Sequence, residues 1–281
     1  MLKICDEPVK YAGLTVAEAF DVARLANNGK LSTKDKIEVL IEAVKASPIN
    51  GCITGSCWLP DFDPDAWATK PDVDVFVFGE DELVRAVNYV IYALKMKPGK
   101  GTERSEKQEE WKLNRLMKSG LNYKIGITTY TFYYDGVMLN LTFKQRKFHG
   151  RWCPILTTAD VLSSFDMSIV MQGYDIQHHV FYDMRLGDPK VAIPNPLRDH
   201  DCVMWTVAKW VRQFDRCVKY YNRGFDTRPM AKFYLEMIDK CIDAGCLFDS
   251  EESKTAFENF SIEFIEKRAT IAEWLEAHEE D

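Results

Sequence analysis

Apolar and polar residues alternate along this chain with two different periods, and the switches between them set most of the expected elements. Residues 16–26 and 34–46 repeat their apolar positions every three to four residues, which predicts two helices separated by Asn27-Asn28-Gly29. Ser32 or Thr33 is suited to cap the second helix. Pro48 closes it, and 49–54 reads as a short strand ending at Gly55-Ser56. A loop with Pro60, Pro64 and three aspartates follows. From Asp72 the period becomes two, so Val73, Val75 and Val77 share one face of a strand while Asp72 and Asp74 share the other. Over 80–94 the helical period returns, with Leu83, Val84, Val87, Val90, Ile91 and Leu94 along one side.

Further on, 123–133 and 137–143 are β-rich runs joined by Tyr134-Asp135-Gly136, a hairpin signal. Thr157 or Thr158 is placed to cap a short helix over 159–164. The apolar run 165–171 predicts another strand, with a single acid, Asp166, inside it. Pro189, Pro194 and Pro196 mark a linker, and nearly everything beyond Leu197 has a helical pattern. The expected organisation is α+β, with a mixed β-sheet flanked by helices over 1–190 and a helical domain over 191–281.

Composition narrows the class. The 281 residues are 46% hydrophobic, enough for a sizeable core, and contain no apolar run long enough to span a bilayer. The first ten residues carry Lys3, Asp6, Glu7 and Lys10 in place of a signal-peptide core, so a cytoplasmic protein with no membrane partner is expected. Eight scattered cysteines show no C-x-x-C pair and no zinc spacing, which favours free thiols. The net charge of −7 resides in the C-terminal segment: 249–281 holds 11 acids against 3 bases. Residues 95–118 instead carry eight Lys/Arg against four Glu, and Lys144, Arg146, Lys147 and Arg151 follow. Such clusters suit a polyanion such as RNA, although solvated surface charge is the commoner reason for them.

The candidate chemistry centres on Asp72 and Asp74. Two carboxylates side by side on one strand face attract a hard divalent cation, and the Gly55-Ser56 turn just upstream offers backbone N–H groups and a hydroxyl to phosphate oxygens. Asp166 is a third acid in an apolar run, where burial demands either a metal or an ion pair with an arginine. Lys219 and Arg223, four apart on an expected helix, either reach a triphosphate or are surface charge beside a Gly224 C-cap. Tyr130, Phe132, Tyr133 and Tyr134 fit a half-buried sheet better than a base-stacking platform. His178 and His179 are adjacent, so on a strand they would face opposite ways; no role is assigned to them.

Taken in order, Ile53-Thr54-Gly55-Ser56, Asp72-Val73-Asp74-Val75-Phe76 and Phe165-Asp166-Met167-Ser168 resemble the DNA polymerase β-like nucleotidyltransferase superfamily. Nearest in pattern are nucleotidyltransferase-like proteins of bacteriophages and large DNA viruses, which Lys219-Tyr220 with Arg223-Gly224-Phe225 also resembles. The resemblance covers roughly 49–226. It implies a polymerase-β-like core in which Asp72, Asp74 and Asp166 are catalytic and hold Mg²⁺ (or Mn²⁺). Gly55, Ser56, Lys219 and Arg223 would bind the NTP, and NMP would pass to a hydroxyl of RNA, of tRNA for instance, of a host protein or of a second nucleotide, in the host cytoplasm, with the basic clusters favouring RNA. One departure stands out: Pro60 and the 61–65 loop interrupt the helix that commonly follows the Gly-Ser turn. The rival expectation is a non-catalytic viral protein that binds a nucleotide or a partner on the same scaffold.

Overall fold

The computed structural model describes residues 2–4, 10–67, 72–99, 127–148, 151–197, 207–243 and 268–278. The 123–126 end of the expected first hairpin strand, the basic positions Lys100, Arg104 and Lys107, and the 253–267 part of the expected last helix lie outside them. So does Trp205, expected to pack between helices. Among the described residues no helix is long and apolar enough to cross a membrane.

The chain divides into two compact units. The first comprises Met1–Phe165 with Val170–Arg185, and the second Asp166–Ile169 with Leu186–Asp281. The first is a mixed α+β structure. Helix α1 (Val16–Ala26) starts at Thr15, whose hydroxyl accepts from the Glu18 N–H while the Glu18 carboxylate accepts in return. Helix α2 (Thr33–Lys45) repeats this reciprocal cap with Ser32 and Asp35, so Ser32 rather than Thr33 is the cap. Helix α3 (Glu80–Tyr92) opens with Glu80, Asp81 and Glu82, acids that suit the positive end of the helix dipole.

Among the described residues nine strands form one sheet: β1 (Leu2–Ile4), β2 (Gly51–Thr54), β3 (Asp72–Val77), β4 (Lys97–Pro98), β5 (Ile127–Tyr134), β6 (Val137–Phe148), β7 (Arg151–Pro154), β8 (Gln172–Asp175) and β9 (Val180–Asp183). Their order is β1-β9-β8-β2-β3-β6-β5-β4, with β7 paired to the far end of β6. All pairs are antiparallel except β3 with β6, which run parallel. One sheet face packs on α1, α2 and α3: Ile53, Val73, Val75, Val77, Leu139 and Leu141 are buried there with Phe20, Leu40 and Val90. The other face is partly covered by the short helix α4 (Thr158–Ser163), capped by Thr157, which contributes Val161 to a small cluster with Cys52, Ile155, Phe76 and Phe165. The rest of that face carries the candidate site.

The β5–β6 hairpin turns on two residues, Asp135 and Gly136, with φ of 44° and 84°. Both lie in the left-handed region that glycine tolerates best, as this kind of tight turn requires. Arg24 donates to the Asp135 carboxylate at 2.7 Å, and Lys36 donates to the Asp135 carbonyl and pairs with the carboxylate, both at 3.1 Å, which ties the turn to α1 and α2. Gly136→Ala is expected to lower stability by about 1 kcal/mol, read as a shift of the denaturation midpoint at constant slope. An unchanged midpoint would contradict it.

The expected strand over 165–171 does not form. Asp166 lies in a bend, Met167 makes an isolated bridge to Pro194, and Ser168–Val170 is a 3-10 turn. Its apolar residues are buried without alternation: Met167, Ile169, Val170 and Met171 are all inside. The strands lie instead just downstream, in the β8–β9 hairpin, where His178 and His179 occupy the turn.

In the second unit, α5 (Val207–Tyr221), α6 (Arg228–Asp243) and α7 (268–277) are helical, matching the expected pattern. Trp274 on α7 meets Phe214 and Tyr221 edge-on and stacks on His278 at 4.6 Å.

Candidate cation and phosphate site

The period-two pattern of β3 holds in the structure: Val73, Val75 and Val77 are buried under the helices, and Asp72 and Asp74 lie half-buried on the opposite face. The strands on either side complete a polar row. On β2, Thr54 pairs with Asp74; on β6, Asn140 does. One strand further, Thr131 of β5 pairs with Asn140. Cross-strand partners project to the same face, so Thr54, Asp74, Asn140 and Thr131 stand side by side.

Hydrogen bonds order this row. The Thr131 hydroxyl donates to Asn140 Oδ1 at 2.8 Å, which turns the Asn140 Nδ2 amide toward the acids. It donates to Asp74 Oδ1 at 2.9 Å and reaches Asp72 Oδ2 at 3.5 Å. At the other end of the row, Thr54 is wholly buried and its hydroxyl has no hydrogen-bond partner among the described residues.

Gly55 closes the corner. Its φ is 96°, and a Cβ built on it would sit 2.7 Å from Asp74 Oδ2. Only glycine allows the turn to lie directly against the carboxylate. Ser56 then begins a single 3-10 turn, Ser56–Trp58, closed by Leu59 N–H to Ser56 O at 3.1 Å. The turn is anchored by the Trp58 indole, which donates to Ile53 O at 3.0 Å, and the Lys45 ammonium lies 5.7 Å from the Trp58 ring centre. As Pro60 led one to expect, no longer helix follows, so the backbone N–H groups this segment can offer are those of one turn. Burial, followed by the charges of Asp74 and Asp72, pushes the Cys57 thiol well above its ordinary pKa.

Asp166 takes the other of the two roles open to a buried acid. It is 3% exposed, and Arg216 Nη1 donates to both of its carboxylate oxygens at 2.7 Å while the Tyr234 hydroxyl donates to Oδ2 at 2.8 Å. All three belong to the second unit. Burial pulls the Arg216 pKa down, but the adjacent Asp166 charge more than reverses this and holds it above its ordinary value. The catalytic, metal-ligating role expected for Asp166 therefore gives way to an ion pair, which neutralises the buried carboxylate without a metal. Among the described residues, no group of three or more His, Cys, Asp or Glu is arranged to hold a metal ion.

Lys219 and Arg223 do not share a helical face. Helix α5 ends at Tyr221, and Gly224, with φ 83°, caps it by donating to Tyr221 O at 2.8 Å. Arg223, in the turn, is buried with its guanidinium 5.4 Å from the Tyr220 ring centre, and the Lys219 ammonium lies 5.8 Å from the same ring. Both cations thus lie against the Tyr220 ring at the helix end. In the aromatic hairpin, Phe132 is in the core and Tyr134 meets Phe20 edge-on at 5.1 Å. Burial pushes the Tyr130 hydroxyl up to about 12. Tyr133, 42% exposed, alternates to the face of Thr131. His178 bonds Asp175, and His179 bonds the Tyr174 hydroxyl, both local to their turn.

Asn140, Thr131 and Thr54 are the site residues that sequence reasoning missed. One signal was available: Asn140 interrupts the otherwise apolar run Val137-Met138-Leu139-Asn140-Leu141. No family model, curated protein or solved structure matches this chain.

Proposed function

We propose that the Asp72–Asp74 corner binds an NTP together with Mg²⁺ (or Mn²⁺) and transfers NMP to a hydroxyl acceptor with release of pyrophosphate, on a polymerase-β-like core. One observation carries this reading: Gly55 is packed so tightly on Asp74 that the Gly-Ser turn and the paired carboxylates belong to one site. The residues fit a magnesium ion, which typically takes one or two carboxylates and completes its shell with water and phosphate oxygens. Asp72 and Asp74 would hold it. When bound, the cation neutralises triphosphate charge that the two carboxylates alone would repel. Gly55, having no side chain, lets phosphate oxygens approach the backbone, and the Ser56 hydroxyl is next to it in the turn.

The acceptor class follows from labelling. Incubation with each labelled NTP, Mg²⁺ and total RNA or protein extract is expected to label one fraction and release pyrophosphate. Asp74→Ala is expected to lower that turnover by about a hundredfold or more, because charge developing on the phosphate would be left uncompensated. Normal turnover by that variant contradicts the mechanism.

A second reading, a non-catalytic nucleotide-binding protein, draws support from a specific feature. The residue beside Asp74 on β6 is an amide, Asn140, and Asp166 is engaged with Arg216, so among the described residues Asp72 and Asp74 are the carboxylates placed to serve the site. Metal-dependent NTP binding without incorporation of any of the four nucleotides would select it.

A further inference from the structure

We infer that Asn140, fixed in one orientation by Thr131, restricts the Asp72–Asp74 site to a single divalent cation. This rests on the reading of that corner as a cation site, and Thr54 supports the reading independently of the acids. Its hydroxyl is fully buried and has no hydrogen-bond partner among the described residues. It also stands next to Asp74 on the same sheet face. A buried hydroxyl left without a partner is costly, and an oxygen of a cation-bound water or phosphate would satisfy it.

A carboxamide has an oxygen end that can ligate a cation and a nitrogen end that can only donate. The Thr131 hydroxyl holds the oxygen end, so the nitrogen end faces the acids. There it occupies Asp74 Oδ1, and its partial positive charge lies where a second cation would approach. Two divalent cations about 4 Å apart need shared or additional carboxylate oxygens between and beside them. The position that would supply these from β6, directly beside Asp74, is occupied by the donating end of an amide.

The test is the stoichiometry of Mn²⁺ binding, followed by electron paramagnetic resonance or calorimetry on the full chain, which does not depend on turnover. The wild-type chain is expected to bind one ion at this site, lost in Asp74→Asn. Asn140→Asp is expected to bind a second ion or to bind the first about tenfold more tightly. If this variant is unstable without metal, added Mn²⁺ should raise its melting temperature more than that of the wild type. Thr131→Val, which releases the amide to turn its oxygen toward the acids, should also tighten binding. Two ions in the wild type, or affinity and stoichiometry unchanged in both variants, would overturn the restriction and leave the proposed function standing. No Mn²⁺ binding by the wild type would overturn both.

Discussion

Gly55→Ala is expected to abolish cation binding at Asp74 while leaving the chain folded. Two separate penalties fall on the new methyl group. The backbone at φ 96° strains any residue with a Cβ, at about 1–3 kcal/mol. The Cβ also sits 2.7 Å from Asp74 Oδ2, well inside contact distance, so the carboxylate must rotate away. The obstructing atom is the end of a side chain rather than backbone, so the sheet can survive while the ligand geometry does not. The melting temperature should fall by several degrees, and Mn²⁺ affinity should fall to the level of Asp74→Asn. Wild-type affinity in a folded Gly55→Ala protein would show that the turn and the carboxylate do not act together.

Arg216→Ala should produce the opposite pattern, a large loss of stability with cation affinity intact. Asp166 is almost wholly buried, and removing its cation strands a negative charge in the interior. The cost is about 3 kcal/mol, at the low end of the range for buried pairs because the Arg216 side chain is itself about one third exposed. Tyr234→Phe, which removes the neighbouring donor, should cost about 2 kcal/mol. Urea denaturation measures both. Were Arg216→Ala or Asp166→Asn to weaken Mn²⁺ binding in the folded protein, Asp166 would be a metal ligand after all.

Local rules made much of the first unit legible. The Ser32 cap and the strict alternation of 72–77 are written in neighbouring residues, as is the Thr15–Glu18 cap, which the sequence reading did not name. The Asp135-Gly136 turn is equally local, and the structure follows each of them. The failure at 165–171 has a physical cause. An apolar run of strand-like composition can be buried on all sides in any backbone, and only its partners decide: Met167 bridges Pro194, and Asp166 finds Arg216 and Tyr234. Those partners are about 30 to 70 positions away, where periodicity gives no information. The β8–β9 hairpin escaped notice for a related reason. Gln172, Gly173, Tyr174 and Asp175 are all buried despite two polar side chains, because Thr158 and His178 satisfy Asp175 and Asp183 pairs with Gln172.

Half of the candidate site was legible as well. Asp72 and Asp74 share a face by alternation alone, and Gly55-Ser56 stands out as a turn. That Gly55 touches Asp74, and that Asn140 lies beside it, depends on the register of β2 and β6 against β3. Register is set by the whole sheet. The acid that the order of motifs pointed to, Asp166, pairs with Arg216, and the residue beside Asp74 on β6 is the neutral Asn140.

The most direct measurement is calorimetric titration of each NTP into the purified chain, with and without Mg²⁺, alongside Asp74→Asn. The expected result is NTP binding that requires the cation and is lost in the variant. Binding that is equally strong without Mg²⁺, or unchanged in Asp74→Asn, would contradict a cation–phosphate site at Gly55, Asp72 and Asp74.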